Sequence, residues 1–382
     1  MTGATAYRCS RVFDGETMHH DGALLVQDGL MAGVCPGPNI PAGFAVVDLA
    51  RGILSPGLVD LQVNGGGGLM LGDVESVEDI ATICAAHVRL GTTALTPTLI
   101  TDTPEATARV IELAMKAWTD RVPGFHGLHL EGPHLFAGRK GAHDAGLIRV
   151  MTDDDIALYL AAARHLPSLM ITIAPETVDR EQIARLAGAG IHVSLGHSDA
   201  SYVQCREAAE AGATCITHLF NAMSPLRHRE PGLVGAALDL GAFSVGMIAD
   251  GIHVDPVAMR IALKAKTGPG RIFLITDAMS PTGTDVTSFR LGGREIYRGN
   301  GMLTLEDGTL AGADIDLPSA LKYLTEKLDI GLDTALAMAT SGPADVLGRP
   351  LGRLRQGHAA DFVHLNAALA VEGVWLSGKP VR

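Results

Sequence analysis

The sequence predicts an α/β protein, a (β/α)8 TIM-like barrel with a small β-sandwich domain built from both chain termini. Three observations carry this expectation. Eight apolar runs of strand length alternate with longer amphipathic stretches of helical period, both chain ends alternate at period two, and polar residues recur at the C-terminal ends of the apolar runs. Eight strand-then-helix units favour a closed barrel over an open doubly wound sheet, which usually has fewer strands. No fixed-period repeat is present, which disfavours a solenoid.

Residues 1–55 read as short strands broken by Gly, Asp and Pro, in TAYRCSRVFDGE, GALLVQDGLMAGV and AVVDLARGILSPG, and supply the first part of the sandwich. Residues 56–345 form the barrel. Its strands are expected in LVDLQVN (58–64), TALTPTL (93–99), GLHLEG (127–132), LMITIAP (169–175), HVSLGH (192–197), CITHLFN (215–221), SVGMIAD (244–250) and IFLITDA (272–278). Between successive runs lie stretches such as SVEDIATICAAHVRLG, TPEATARVIELAMKAW, DREQIARLAGAG and SDASYVQCREAAEAG. Several open on a Ser, Thr or Asp able to cap a helix and close near a Gly. FRLGGREIYRGNGMLTLEDGTLAG alternates at period two and reads as a β-hairpin inserted near 285–311; DLPSALKYLTEKL and LDTALAMATSGPADVLG read as closing helices. Residues 346–382 return to strands in GRLRQGHAADFVHLN and LAVEGVWLSGKPVR and complete the sandwich.

At 382 residues, 47% hydrophobic and 19% charged, the chain is long and apolar enough to bury a sizeable core. Its net charge of −12, with no long Lys/Arg run, argues against nucleic acid or an anionic membrane as partner, while leaving room for a local cationic site. Five scattered cysteines without a CxxC spacing disfavour a disulfide framework or a Cys–zinc site. The start lacks a signal-peptide apolar stretch and no transmembrane-length run follows, so a cytoplasmic protein is expected. Two phosphate-loop imitations fail. NGGGGL (64–69) completes no GxGxxG, and GVWLSGKP (373–380) has Pro380 where a magnesium-binding Ser/Thr is needed and no room for a helix.

Gln62, Asn64, Glu131, His197, His218, Asp250 and Asp277 fall at or near the ends of expected strands. In a barrel those ends share one mouth, where such enzymes place their sites. His197 or His218 alone reads as readily as a satisfied buried histidine. Together they are twenty-one residues apart, about one βα unit, which puts two imidazoles on neighbouring strands. With the Glu131 carboxylate they form the three-ligand set that a catalytic metal with one open position requires. The bland reading of Glu131 is a buried ion pair. Asp277 is as easily a helix cap as a general base. His143 and His253 sit in Gly-flanked loops, able to polarise a carbonyl or hold an anion.

In this order, DLQVNG, HLEGPH, KGAHD, SLGHSDA, THLFNAM, REPGLVG, ADGIHVDP and TDAM resemble the amidohydrolase superfamily, and within it the branch that deacetylates N-acetylglucosamine 6-phosphate. The resemblance implies that Glu131, His197 and His218 bind a divalent metal, zinc before iron, that Asp277 is the acid/base, and that His143 polarises the acetamide carbonyl. It implies a phosphorylated amino sugar held by Asn221, Ala222, His253 and Arg229, the arginine lent across a homodimer interface, with Leu310, Ala311 and Gly312 as a further contacting loop. Gln62 and Asn64 stand where many relatives carry a His-x-His for a second metal. Neither amide replaces imidazole as a strong ligand, so one metal per subunit is expected. The sequence departs from the usual pattern at His134 and Phe136-Ala137-Gly138, and again at Asp314 and Asp316; both loops are candidates for the pocket wall. Rival readings are another amidohydrolase, acting on a different N-acyl sugar or a cyclic amide, and a non-catalytic relative without its metal.

Overall fold

A computed structural model describes residues 3–49 and 51–381. All eight apolar runs become strands of one parallel sheet: β1 (Leu58–Val63), β2 (Thr92–Ile100), β3 (Leu128–Glu131), β4 (Leu169–Ile173), β5 (His192–Leu195), β6 (Cys215–Ile216), β7 (Ser244–Met247) and β8 (Ile272–Leu274). They pair in chain order. The ends of that order meet where Val63 bridges Ala278 and the Asp277 N–H donates to the Gln62 carbonyl at 3.0 Å, so the barrel is nearly closed. Strands buried on both faces are why the runs read as continuous apolar segments rather than as alternation.

The helical stretches form where their caps are. Ser76, Thr103, Asp179 and Ser201 each accept a backbone N–H of the first turn of α1 (Val77–Arg89), α2 (Pro104–Thr119), α4 (Arg180–Gly188) and α5 (Tyr202–Glu210). Each such cap is worth about 1 kcal/mol. Thr152 caps α3 (Asp153–Ala163) in the same way, and α6 (Gly232–Asp239), α7 (Pro256–Ala265) and α8 (Leu317–Lys327) complete the ring.

Below the mouth the barrel interior holds a polar layer. His129 Nε2 lies 2.7 Å from Thr172 Oγ1, which is 2.7 Å from Thr217 Oγ1, itself 2.6 Å from Ser194 Oγ. Burial pushes His129 down to about 4, so this ring is neutral and serves as a satisfied core group.

The strands of both termini share one sheet, as expected. Ile53–Pro56 pairs antiparallel with Phe362–Leu365, joining five N-terminal strands to three C-terminal ones. Tyr7, Leu24, Leu54, Phe362 and Trp375 pack on it, the last two rings stacked at 4.6 Å. The insertion differs from the expected hairpin: it is a four-stranded antiparallel meander over Ser288–Ala313. Gly292-Gly293 and Asn300-Gly301 all take positive φ and make two-residue turns, so the chain reverses more often than one hairpin needs.

Candidate active site

Glu131 ends β3, and His197 and His218 lie just past β5 and β6. His218 Nε2 is 3.0 Å from both Glu131 Oε1 and His197 Nε2, and His197 Nε2 is 3.3 Å from Glu131 Oε1. Bonds of about 2.1 Å at tetrahedral angles would set three ligand atoms about 3.4 Å apart, close to this triangle. His197 Nδ1 donates to the Arg139 carbonyl at 2.9 Å, which leaves its Nε2 lone pair facing the other two acceptors. Two ring nitrogens and a carboxylate oxygen converge in this way on one point, and a divalent ion fits that donor set.

The ligand atoms of Glu131, His143 and His197 also lie within 4.8 Å of one another. His143 is nevertheless the poorer ligand. Its Nδ1 accepts the Thr101 backbone N–H at 3.3 Å and is 2.8 Å from Thr101 Oγ1, so its proton sits on Nε2, 3.9 Å from Glu131 Oε2. Burial, helped by the neighbouring His197, pushes this ring down to about 3. His143 is therefore a neutral N–H donor aimed into the cleft.

Burial alone would raise Glu131, yet the two imidazoles of His197 and His218 beside it outweigh burial and leave the carboxylate well below its ordinary range. The opposite holds for Asp277, raised by burial and by the Glu131 charge. Its Oδ1 accepts from Asn64 Nδ2 at 2.6 Å and from Gln62 Nε2 at 3.2 Å, and the same Gln62 amide reaches Glu131 Oε1 at 2.9 Å. Both amides at the His-x-His positions are thus engaged as donors to the two carboxylates. His197, His218 and Asp277 all adopt positive φ, as do Phe220 and Ala222. Such backbone is uncommon outside glycine, and its clustering here marks the mouth as a strained site held by its surroundings.

These groups open into a cleft lined by Asn64, Glu131, His143, His197, His218 and Asp277 at its base and by Asn221, Ala222, His253, Leu310 and Gly312 higher up. Three expected residues do not line it. Ala311 lies in the last strand of the meander, buried against its Leu291, Ile296 and Leu303, and Gln62 is buried with its amide on the two carboxylates. Arg229 is exposed on the loop before α6, outside its own cleft.

The departing residues do not line the cleft either. His134 is fully buried, with Nε2 3.0 Å from the Tyr159 hydroxyl and Nδ1 3.2 Å from the Arg149 carbonyl, so it staples the His143 loop to α3. Asp314 pairs with Arg298 at 2.8 Å and holds the meander, while Asp316 caps α8. The charges that the sequence placed near a pocket are absorbed by the scaffold around it. Sequence reasoning assigned no role to Thr101, which sets the His143 tautomer, because a threonine at a strand end carries no distinguishing signal.

Residues 53–381 match the amidohydrolase family. The chain is 40% identical, over 94% of its length and 91% of the relative's, to the N-acetylgalactosamine-6-phosphate deacetylase of Shewanella sp. (strain ANA-3). The crystal structure of N-acetylglucosamine-6-phosphate deacetylase from Pasteurella multocida superposes with a TM-score of 0.94 at 31% identity over 99% of both chains. A mutant of N-acetyl-D-glucosamine-6-phosphate deacetylase from Mycobacterium smegmatis, in complex with N-acetyl-D-glucosamine-6-phosphate, gives 0.92 at 33% identity over 99% of both.

Proposed function

The chain belongs to the amidohydrolase family, and from that premise we propose that it hydrolyses the acetamide of N-acetyl-D-glucosamine 6-phosphate to acetate and glucosamine 6-phosphate. The observation that carries the reading is the buried Asp277 carboxylate set beside the Glu131, His197 and His218 triangle, with the His143 Nε2–H aimed into the same cleft. Glu131, His197 and His218 would hold one divalent ion, zinc before iron. Bound there, such an ion supplies Lewis acidity and lowers the pKa of water from 15.7 toward about 7.

The chain's own groups do the rest. His143 donates to the acetamide oxygen as negative charge builds on it. Asp277 takes a proton from the attacking water, whose oxygen bonds to the acyl carbon. As the C–N bond breaks, Asp277 returns that proton to the departing amine. Gln62 and Asn64 hold one Asp277 oxygen, leaving the other for the proton. Asn221, Ala222, His253 and the 310–312 loop would contact the phosphorylated sugar, with Arg229 supplied by a partner subunit.

We read the terminal sheet (1–55 and 346–382) as a sandwich unit appended to a 56–345 barrel. Five unpaired cysteines support a cytoplasmic setting; among the described residues no helix is long and apolar enough to cross a membrane.

A second reading replaces the glucosamine by its galactosamine epimer, favoured by the 40% identity to a relative of that name. Acetate release from N-acetylglucosamine and N-acetylgalactosamine, each with and without the 6-phosphate, tests both, using protein of known metal content. Faster release from the phosphorylated glucosamine supports the first reading and from its epimer the second. No release from either phosphorylated sugar overturns both.

A further inference from the structure

A 6-phosphate entering the cleft finds no lysine or arginine among the residues that line it. Its donors are few. His197 and His218 turn their Nε2 atoms to Glu131, and the His143 proton faces the same carboxylate. His253 is the imidazole left for an anion, and it is held through Nδ1 alone, 2.6 Å from Asp250 Oδ2. The two side chains are only 7% and 5% exposed.

Asp250 ends the SVGMIAD run. Its Oδ1 accepts the backbone N–H groups of Ile252 and His253 at 2.8 and 2.9 Å, so the carboxylate is locked to the turn that presents the ring. Gly251 makes that turn at φ +73, and a Cβ there would collide with the Tyr323 hydroxyl, which closes the turn from α8. Besides Asp250, the charges that act on this turn are Asp277 from the end of β8, which acts on His253, and Asp255 ahead of α7 and Arg260 within it, which both act on the Tyr323 hydroxyl that closes the turn.

This geometry restricts what His253 can present. With Nδ1–H given to Asp250, a neutral ring turns a lone pair toward the phosphate and repels it; an imidazolium turns an N–H toward it. A nearly buried imidazolium needs a counter-charge, and the Asp250 carboxylate is already in place. We infer that Asp250 is a positioning residue that makes His253 an oriented imidazolium for the substrate phosphate, so that preference for phosphorylated over free sugar depends on the Asp250–His253 pair. The inference rests on the reading of a phosphorylated substrate.

Asp250→Asn tests it. The amide keeps an oxygen for the two backbone N–H groups and offers Nδ1 a donor in place of a charge, so the ring becomes neutral with its one proton on Nε2: the phosphate keeps an N–H donor and loses the positive charge. We expect kcat/KM for the 6-phosphate to fall about tenfold, as for a charge-assisted hydrogen bond reduced to one from a neutral donor. The loss should lie mainly in KM, and the ratio of phosphorylated to free-sugar kcat/KM should fall with it. In a His253→Gln background the same substitution should change that ratio less than about twofold. A folded, metal-loaded Asp250→Asn with an unchanged ratio overturns the inference, as does an equal loss of kcat on both sugars. Should the variant not fold, nitrogen NMR of the wild-type histidines with inorganic phosphate bound decides: protons on both His253 nitrogens support the pair, a neutral ring refutes it. A wild-type enzyme with no preference for phosphate removes the substrate reading first, and the inference with it.

Discussion

Asp277 concentrates the chemistry into one side chain. Burial and the Glu131 charge raise its pKa, while amide donors from Gln62 and Asn64 fix one of its oxygens. A carboxylate so placed can accept a proton from water and release it to an amine, which an amide of the same shape cannot. Asp277→Asn is therefore expected to lower kcat by about 10²- to 10⁴-fold, the usual contribution of a positioned acid/base group. Elemental analysis of the same preparation should still find one ion per chain, because the triangle of Glu131, His197 and His218 is untouched. Near-wild-type turnover would remove Asp277 from the mechanism, and two tightly held ions per chain would contradict the use of Gln62 and Asn64 as donors. A subtler test at the same scale is His143→Ala. Thr101 gives His143 a single N–H, and losing it should cost about 10²- to 10³-fold in kcat, the range for one donor to a developing oxyanion.

The loop between β3 and α3 carries His143, and its anchor is an ion pair. Arg149 grips Asp155 through two bonds of 2.6 Å, and Thr152 adds its N–H and hydroxyl at 2.8 and 2.7 Å. Burial works to raise Asp155, but Arg149 and Thr152 prevail and hold it far below the ordinary carboxylate range. A depressed folded pKa means stability that is present above the unfolded value of about 3.9 and lost as pH falls through the folded one. Asp155→Asn should thus cost about 2 kcal/mol at pH 7, as for hydrogen bonds to a charged group, and progressively less below about pH 4. Urea midpoints of the two proteins at pH 7 and pH 3 measure this; a gap that widens in acid would reverse the sign and refute the anchor. Elements of this kind separate what was legible from what was not. Helix starts at Ser76, Thr103, Asp179 and Ser201 could be read because a cap is a local signal. The eight strands could be read because burial on both faces leaves unbroken apolar runs. His134, by contrast, looks like a pocket residue in sequence and is a staple in space, since its partner Tyr159 is twenty-five residues away. The meander was underread because its turns sit inside a period-two pattern that one hairpin already explains.

At the scale of the whole molecule, the acidic chain and the proposed anionic substrate conflict, and the conflict locates the missing charge. The cleft lacks Lys and Arg among its lining residues, while Arg227, His228 and Arg229 stand exposed on the loop before α6. The proposed dimer resolves this by placing one subunit's Arg229 over the other's cleft, a self-complementary arrangement that two-fold symmetry permits. The convergence of Glu131, His197 and His218 could be inferred from strand ends within one chain, whereas the proposed action of Arg229 in another chain's cleft leaves no trace in a single fold. Arg229→Ala should weaken use of the phosphorylated sugar, but so would loss of an arginine acting within its own chain. Mixing distinguishes the two. Arg229→Ala subunits keep Asp277, and Asp277→Asn subunits keep Arg229, so a mixed dimer has one complete cleft if the arginine crosses the interface. After subunit exchange at equal amounts, half the dimers are mixed, and activity should recover to about a quarter of wild type from two nearly inactive parents. An arginine confined to its own chain gives no recovery at any ratio.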